Sequence, residues 1–227
     1  MQSVLIIDDD ENVHEFLNLY LKKEGYFTYS AYNGIDAIKV FKEHSPSVII
    51  LDIMMPGLNG LEVCKAIRSE SKVPIIMLTA KGEDIDKILG LEIGADDYIT
   101  KPFNPREVAA RIKAVLRRVE DFSGASNKIL NYPGLEINLN DYTVKVNDTP
   151  IQCTSKEIEI LWIIASKPNR VFTREQLLEL VWGYEYAGET RTVDTHIKRI
   201  RAKLNIKDDL PWDIKTVWGV GYKFEVK

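Results

Sequence analysis

Short apolar runs alternate with segments of helical periodicity through the first half of the chain. The run at 48–51 is aliphatic throughout and ends at an acid, as is typical of a strand buried in a parallel sheet. Between such runs, apolar residues recur at every third or fourth position, as in the segment that ends at Gly25. Five of these strand–helix units in about 120 residues predict an α/β fold: a doubly wound parallel sheet with helices on both faces.

The apolar runs and the helical periodicity together predict the individual strands and helices of this half. The last helix, for example, places Val108, Ile112 and Val115 on its buried face. Strands are predicted near 4–7, 27–31, 48–51, 75–78 and 97–100, and helices over 13–21, 35–41, 60–68, 83–92 and 105–118.

The pattern changes after residue 120. Residues 121–127 have the composition of a linker. Short strands are predicted near 135–139, 143–146 and 149–153, and two capping boxes, at 154–157 and 173–176, open helices. A third helix over 191–204 and a terminal hairpin around 219–221 complete an α+β pattern. We therefore expect a first domain over 1–120, a linker over 121–128 and a second domain over 129–227.

Charge is unevenly distributed along the chain. Residues 1–127 carry 15 basic and 20 acidic side chains, whereas residues 128–227 carry 15 and 14. The stretch 191–203 contains five basic residues and one acid, Asp194. Because phosphate groups respond to local charge, the net charge of −4 does not argue against nucleic-acid binding.

The composition also bears on cellular location. No apolar run is long enough to span a bilayer, and the first strand follows without a basic segment or a cleavage signal. Cys64 and Cys153 lack the spacing of a metal site, so both are expected to stay reduced. These features favour a cytoplasmic protein.

Polar residues follow four of the predicted strands of the first half. Asp8 and Asp9 follow the first, Asp52 ends the third, Thr79 follows the fourth and Lys101 follows the fifth. The carboxyl ends of parallel strands share one edge of the sheet, where such folds bind ligands. Three converging carboxylates favour a cation, and an all-oxygen site suits Mg²⁺. A threonine hydroxyl and a lysine beside it could stabilise a phosphoryl group.

The alternative is that these acids only cap helices or solubilise loops. That interpretation is preferred for Asp10 and Glu11, and it would also hold for Asp8, Asp9 or Thr79 taken alone. The joint pattern at four strand ends favours a site.

The segments around these positions resemble a known family. The segments are 7–9 (Ile-Asp-Asp), 51–57 with Gly60, 78–80 (Leu-Thr-Ala) and 98–103. Over residues 1–119 they resemble the receiver domain of bacterial two-component response regulators. The resemblance implies a flavodoxin-like receiver with strand order 2-1-3-4-5, and a cis peptide bond between Lys101 and Pro102.

The resemblance also implies roles for individual residues. Asp52 would accept the phosphoryl group, Thr79 and Lys101 would stabilise it, and Tyr98 would move inward after Thr79. From the pattern alone, Tyr98 is typical of a strand aromatic packed in the core. Mg²⁺ would be held by Asp8, Asp9, Asp52 and the backbone carbonyl of Met54.

A charged face on the last receiver helix is a candidate dimer interface. Glu107, Arg111 and Arg118 fall within about 40° of one another on a helical wheel, away from the apolar face. Alone, this is typical of a solvated face with one i,i+4 ion pair. Receivers of the OmpR/PhoB family, which this one resembles, form three pairs across a two-fold axis after phosphorylation. The implied pairs are Lys87 with Glu107, Asp97 with Arg111, and Asp96 with Arg118.

The helix predicted over 191–204 has one apolar and one basic face. Val193, Ile197 and Ile200 form an apolar stripe, and basic and hydroxyl side chains project away from it. A helix of this kind after two short helices suits a major-groove reader, although a solvated amphipathic helix has the same pattern.

Residues 191–201 and 219–224 strongly resemble the winged-helix output domain of the same family. The resemblance implies that Thr192, Thr195 and Arg199 approach base edges. A histidine at the edge of the core remains an alternative for His196, and Trp218 stands where many members have a minor-groove arginine. Contacts to phosphates or sugars are implied for Arg191, His196, Lys198, Arg201, Thr216 and Tyr222.

These inferences predict a two-component response regulator rather than an enzyme. Its partners would be a sensor histidine kinase, direct-repeat promoter DNA, a second copy of itself and, in an activator, RNA polymerase. Rival interpretations are a Mg²⁺-dependent phosphatase, a flavin-binding module and a receiver that signals only through protein contacts. The acids after the first strand argue against a flavin phosphate site, and the basic helix argues against the third rival.

Overall fold

A computed structural model describes residues 2–80, 93–116, 128–183, 190–204 and 210–227. The chain divides into two compact units, Met1–Leu116 and Arg117–Lys227. The predicted boundaries at 120 and 129 stay predictions, because 117–127 lie outside the described residues.

The first unit is built on a five-stranded parallel sheet. Its strand order is β2-β1-β3-β4-β5, as predicted. The helix predicted near 83–92 lies outside the described residues, and helices are numbered here among those described. The elements are β1 (Ser3–Ile7), α1 (Glu11–Lys23), β2 (Phe27–Ala31), α2 (Gly34–His44), β3 (Val48–Asp52), α3 (Gly60–Glu70), β4 (Ile75–Ala80), β5 (Asp97–Lys101) and α4 (Pro105–Leu116).

Burial on both faces explains why β1 and β3 consist mainly of apolar residues. Alternate residues of β1 and β3 point to opposite faces, and the apolar runs 4–7 and 48–51 are fully buried on both. Leu5 and Ile49 belong to the cluster under α2 and α3, whereas Val4 and Ile50 belong to the cluster under α1 and α4. The sheet is therefore fixed between two apolar layers, and its carboxyl edge carries the polar residues.

The second unit contains helices between two antiparallel sheets. The first sheet has the order β6-β7-β8-β9 and the second β10-β12-β11, which confirms the α+β winged-helix class. The sequence prediction missed β6 and the two-residue β10. The elements are β6 (Ile129–Tyr132), β7 (Leu135–Asn138), β8 (Thr143–Val146), β9 (Thr149–Ile151), α5 (Ser155–Ala165), β10 (Phe172–Thr173), α6 (Arg174–Trp182), α7 (Arg191–Leu204), β11 (Trp212–Val217) and β12 (Gly221–Val226).

Both predicted capping boxes are present in this unit. Thr154 caps α5 with Glu157, and Thr173 caps α6 with Gln176. Ten of the eleven residues of α5 are buried, so this helix forms the centre of the unit. Across the parts of the chain that the structure describes, no helix combines the length and the apolar character needed to cross a bilayer.

Candidate functional site

Three carboxylates converge at the carboxyl edge of the receiver sheet. Asp8 and Asp9 follow β1 and Asp52 ends β3, and each offers one oxygen within 4.8 Å of the others. Asp8 and Asp52 are buried, at 0% and 4% exposure, while Asp9 is exposed. Buried carboxylates this close together repel one another unless positive charge is present.

Positive charge in the described part of this pocket comes from Lys101, at the end of β5. Its Nζ lies 2.8 Å from Asp8 Oδ2 and 3.2 Å from Asp52 Oδ2. The Lys101–Pro102 peptide is cis, as the family resemblance implied. Among the described residues, one lysine thus faces three acids, which leaves a surplus of negative charge in the pocket.

The electrostatics of the pocket follow from burial and these pairs. Burial raises the pKa of the Asp52 carboxyl, and Asp8 and Asp9 add to this rise while Lys101 opposes it. Burial alone would lower the pKa of the Lys101 ammonium, but its contacts with Asp8 and Asp52 outweigh that effect and raise the pKa. Lys101 therefore stays charged, and Asp52 gives up its proton less readily than a solvated aspartate.

Thr79 follows Leu78, which pairs with Asp52 across the β3–β4 register, and Gly60 lies against the Asp52 backbone. The Thr79 hydroxyl is buried, at 1% residue exposure, and has no hydrogen-bond partner among the described residues. A Cβ at Gly60 would lie 2.0 Å from the Asp52 carbonyl oxygen, so a larger residue there would displace the acid. The close approach of α3 thus helps to hold Asp52 in place.

The remaining predicted receiver residues are Met54 and Tyr98. Met54 lies two residues after Asp52, in the loop that follows β3. Its side chain is exposed. Tyr98 is 7% exposed and packs in the apolar cluster under α2 and α3. Packing of Tyr98 agrees with the interpretation from the pattern alone, and its role in switching stays a prediction.

The donor set fits a hard divalent cation and a phosphoryl group. Carboxylate and carbonyl oxygens are the ligands that Mg²⁺ prefers, and the pocket offers no sulfur or imidazole among the described residues. The unpartnered Thr79 hydroxyl is a buried donor that a phosphoryl oxygen would satisfy. The residues present therefore fit both groups.

In the second unit, the basic face of α7 is only partly exposed. Arg191 and Lys198 are exposed, and Thr195 is half-buried with its hydroxyl donating to the Arg191 carbonyl over 3.3 Å. Thr192 and His196 are buried, at 1% and 0% exposure. Burial of His196 against Trp182, with ring centres 5.3 Å apart, favours the core-edge interpretation in the DNA-free molecule.

Arg199 is held in a buried ionic cluster with α5. Its Nε lies 2.9 Å from Glu157 Oε1, in ion-pair rather than hydrogen-bond geometry, and Lys203 Nζ lies 2.6 Å from Glu157 Oε2. Glu157 is fully buried and also accepts from the Thr154 backbone N–H at 2.7 Å. Base contact by Arg199 would thus have to compete with Glu157 or be made from within this cluster.

The β11–β12 hairpin is attached to α7 by the residues expected to contact phosphates. Arg201 donates to the Ile214 carbonyl at 2.6 Å and to the Thr216 hydroxyl at 2.9 Å. The Tyr222 hydroxyl donates to Asp194 at 2.6 Å. Burial and this bond to Asp194 raise the pKa of Tyr222 to about 12, so its hydroxyl stays protonated. Trp218, at the tip of the hairpin, is 89% exposed.

Comparisons with known proteins agree with both units. Residues 4–113 match the model of the response regulator receiver domain, and residues 148–224 match that of the C-terminal domain of transcriptional regulatory proteins. The transcriptional regulatory protein SrrA of Staphylococcus aureus is 45% identical over 99% of this chain and 95% of its own length.

Solved structures also match the chain over nearly its whole length. A variant of RitR, 29% identical, superposes with a TM-score of 0.78 over the whole of both chains. DrrB of Thermotoga maritima, described as an OmpR/PhoB homologue, is 35% identical and has a TM-score of 0.53, with 99% of both chains covered. The chain belongs to the OmpR/PhoB family of response regulators. It is a two-component response regulator with a receiver and a DNA-binding transcription-regulatory domain.

The acids assigned to the dimer face of this response regulator already have partners within the chain. Asp96 pairs with Arg68 at 2.6 Å, and Asp97 pairs with Arg111 at 3.1 Å. Both acids are fully buried, and Arg111 also bonds Glu107 at 2.9 Å. Lys87 and Arg118 lie outside the described residues. A dimer that used all three expected pairs would have to exchange these partners.

Two functional candidates were missed at the sequence level. Glu157 was recognised only as a capping-box residue, because its cations lie about forty positions further along the chain. His14 was not singled out, although a polar residue at 14 shares the apolar face of positions 17 and 21. A histidine on the apolar face of a helix indicates that its ring has a hydrogen-bond partner in the interior.

Proposed function

We propose that Asp52 is the phosphorylation site of this response regulator and that its phosphorylation promotes dimerisation and DNA binding. The observation that carries the proposal is the meeting of three carboxylates, Lys101 and an unpartnered threonine hydroxyl at one sheet edge. Converging carboxylates and a buried hydroxyl without a hydrogen bond are unfavourable for the fold alone, and a cation with a phosphoryl group would relieve both.

The chemistry follows from the atoms in the pocket. An Asp52 oxygen attacks the phosphorus of the phosphohistidine of a sensor kinase; the new O–P bond forms as the P–N bond breaks, and the imidazole leaves with that electron pair. Lys101 Nζ, 3.2 Å from Asp52 Oδ2, neutralises the transferred group. The Thr79 hydroxyl donates to one of its oxygens. We assign the receiver no reaction beyond its own phosphorylation and dephosphorylation.

Asp8, Asp9, Asp52 and the Met54 carbonyl would hold Mg²⁺. When bound, the cation would supply charge neutralisation and alignment of the phosphoryl oxygens. Asp8 and Asp9 contribute the carboxylates that make such binding favourable, and the surplus negative charge of the pocket supplies the driving force.

Signal transfer within the receiver would start at Thr79. Its hydroxyl gains a partner only when a phosphoryl group is present, so phosphorylation draws β4 toward Asp52. Tyr98 lies on the adjacent strand, with its Cα paired with Met77, two residues before Thr79. An inward move of Tyr98 would reach the Asp97–Arg111 pair next to it and free those residues for pairs between two copies.

Dimerisation would use Lys87 with Glu107, Asp97 with Arg111, and Asp96 with Arg118. The support is that Asp97, Glu107 and Arg111 already form a connected ionic group on β5 and α4. Exchange of the Asp97–Arg111 pair between two copies would keep both of its charges bonded, whereas Asp96 would have to leave Arg68.

DNA would meet the exposed face of α7 and the adjoining hairpin. Direct base contact is proposed for Thr195 and, after release or sharing of the Glu157 contact, for Arg199; Thr192 would also need to become accessible. Direct-repeat promoter sites would suit a dimer, and RNA polymerase would be a partner if the protein activates transcription. Backbone contacts are proposed for Arg191, His196, Lys198, Arg201, Thr216 and Tyr222.

The full chain, with and without acetyl phosphate and Mg²⁺, tests this proposal. DNA selected from a random pool by the phosphorylated protein is used in a binding titration, and sedimentation velocity gives the oligomeric state. We expect tighter binding and a dimer only with the phosphodonor, and neither effect in Asp52→Asn. Glu70→Gln, an exposed acid on α3, serves as the control. Equal responses of Asp52→Asn and the wild type would refute the proposal.

A further inference from the structure

His14 is a polar residue on the buried face of α1. It shares that face with Leu17 and Leu21, and its exposure is 2%. Tyr32 covers the ring, with the two ring centres 4.2 Å apart. A polar ring is unfavourable in such a place unless its nitrogens are hydrogen-bonded, so the partners of His14 determine its position.

Both ring nitrogens have partners. Nε2 lies 2.8 Å from the Asp8 carbonyl oxygen, which can only accept, so Nε2 carries the proton and donates. Nδ1 lies 3.0 Å from the Ser30 hydroxyl, which donates to it when the ring is neutral. Asn18 donates to the same hydroxyl oxygen at 3.4 Å. A chain of hydrogen bonds thus connects α1 and β2 to the acid pocket.

The carbonyl that His14 holds belongs to the peptide between Asp8 and Asp9. This peptide is planar, so the direction of its carbonyl fixes the plane from which both aspartate side chains branch. The rest of Asp8 is also bonded: its Oδ1 accepts from the Asp10 N–H at 3.0 Å, and its Oδ2 from Lys101 at 2.8 Å. Without His14, the Asp8 carbonyl would lose the contact that sets its direction.

We propose that His14 is a positioning residue for the metal-binding carboxylates, and that its hydrogen bond to the Asp8 carbonyl sets the affinity of the pocket for a divalent cation. The inference rests on the proposed function, because it takes Asp8 and Asp9 as ligands. Residues that orient metal ligands typically change metal affinity by about 10- to 100-fold when they are replaced.

Two amide substitutions separate the two hydrogen bonds of His14. The amide nitrogen of glutamine corresponds to Nε2 of histidine, whereas that of asparagine corresponds to Nδ1. His14→Gln therefore keeps the donor to Asp8, and His14→Asn keeps only the contact with Ser30. His44→Asn is the control, since His44 lies exposed at the end of α2.

Titration of the unphosphorylated full chain with Mn²⁺, with free Mn²⁺ measured by electron paramagnetic resonance, reports affinity without phosphoryl transfer. The wild type and His44→Asn should bind equally, His14→Gln within about threefold, and His14→Asn about tenfold or more weakly. Wild-type affinity in His14→Asn, or equal losses in both His14 variants, would overturn the inference. A wild-type protein that bound no Mn²⁺ would instead refute the proposed metal site.

Labelling by acetyl phosphate at increasing Mg²⁺ supplies a second readout. In His14→Asn the half-saturating Mg²⁺ concentration should rise about tenfold, while the maximal rate is unchanged because Asp52, Thr79 and Lys101 are intact. A lower maximal rate at an unchanged half-saturating concentration would show that His14 supports only the fold. Circular dichroism melting confirms that each variant is folded.

Discussion

Two clusters of buried charge in this protein differ in sign: one has more cations than acids, and the other has more acids than cations. In the DNA-binding unit, the single carboxylate of Glu157 meets Arg199 and Lys203 and accepts a backbone N–H of its own helix cap. In the receiver, three carboxylates meet Lys101, beside a hydroxyl that has no partner among the described residues. The first cluster joins α5 to α7, whereas the second lies at the ends of strands β1, β3 and β5.

Such a difference is what we expect between a structural cluster and a binding site. Burial of charge is unfavourable, and at Glu157 two cations and a backbone N–H within the fold oppose that penalty. At Asp52 the penalty persists and appears as a raised carboxyl pKa. We expect such a pocket to become favourable when it binds positive charge, so ligands should affect the receiver cluster and substitutions should most affect the other.

The largest effect is expected at Glu157. Glu157→Ala leaves two cations of the cluster without their carboxylate and removes a cap, so the free energy of unfolding of the second unit should fall by about 3–5 kcal/mol. All four tryptophans, at 162, 182, 212 and 218, lie in that unit. Tryptophan fluorescence in urea therefore measures its stability selectively. As a control, Glu179→Ala, at an exposed position, should stay within about 0.5 kcal/mol of wild type. A loss as small as that in Glu157→Ala would show that the cluster does not stabilise the unit.

A smaller effect is expected when the cations of α7 are replaced. Arg199→Ala should weaken specific DNA binding by about 1–3 kcal/mol and relax base preference. The exposed Lys198→Ala should instead lower the salt dependence of binding by about one counterion, with base preference unchanged. Fluorescence anisotropy on selected and scrambled DNA across salt concentrations distinguishes the two. Wild-type affinity and specificity in both variants would exclude α7 as the recognition helix.

Mg²⁺ should stabilise one unit and not the other. At ten times its dissociation constant it should raise the free energy of unfolding of the receiver by about 1.4 kcal/mol. Hydrogen exchange of peptides from residues 2–80 measures this change, while the urea midpoint from tryptophan fluorescence should not move. Equal stabilisation of both units, or of neither, would contradict the contrast between the clusters.

The smallest effect concerns pH. Because folding raises the pKa of Asp52, its ionised form opposes folding above the folded-state pKa. This penalty decreases as the pH falls below that pKa and is absent below the unfolded-state pKa. Asp52→Asn should therefore make the metal-free receiver more stable than wild type at neutral pH, and the difference should vanish on acidification. Hydrogen exchange at a series of pH values checks both. A less stable variant at neutral pH would show that Asp52 is already fully compensated.

Much of the receiver could be predicted from its sequence because its chemistry depends on strand ends. In a parallel sheet, residues that follow the strands meet at one edge, so Asp8, Asp52, Thr79 and Lys101 needed no long-range information beyond the strand pattern. The sheet order was equally accessible, through the resemblance of the same segments.

Side chains that depend on distant partners were not predictable in the same way. On α7 the apolar stripe suggested a wide basic face, but Glu157 on another helix draws Arg199 into the interior. Asp96 likewise turns to Arg68, twenty-eight positions earlier in the sequence. The strand β6 was missed because its four residues contain polar Asn131 and follow a segment with linker composition. Periodicity describes which face is apolar, but not which charges the core can bond.

The central claim is that the receiver pocket accepts a phosphoryl group on Asp52. Intact-mass measurement of the full chain after incubation with acetyl phosphate, with and without Mg²⁺, tests it most directly. The account predicts one added phosphoryl group in the wild type, dependence on Mg²⁺, and none in Asp52→Asn. Undiminished labelling of Asp52→Asn, or labelling that is indifferent to Mg²⁺, would contradict it.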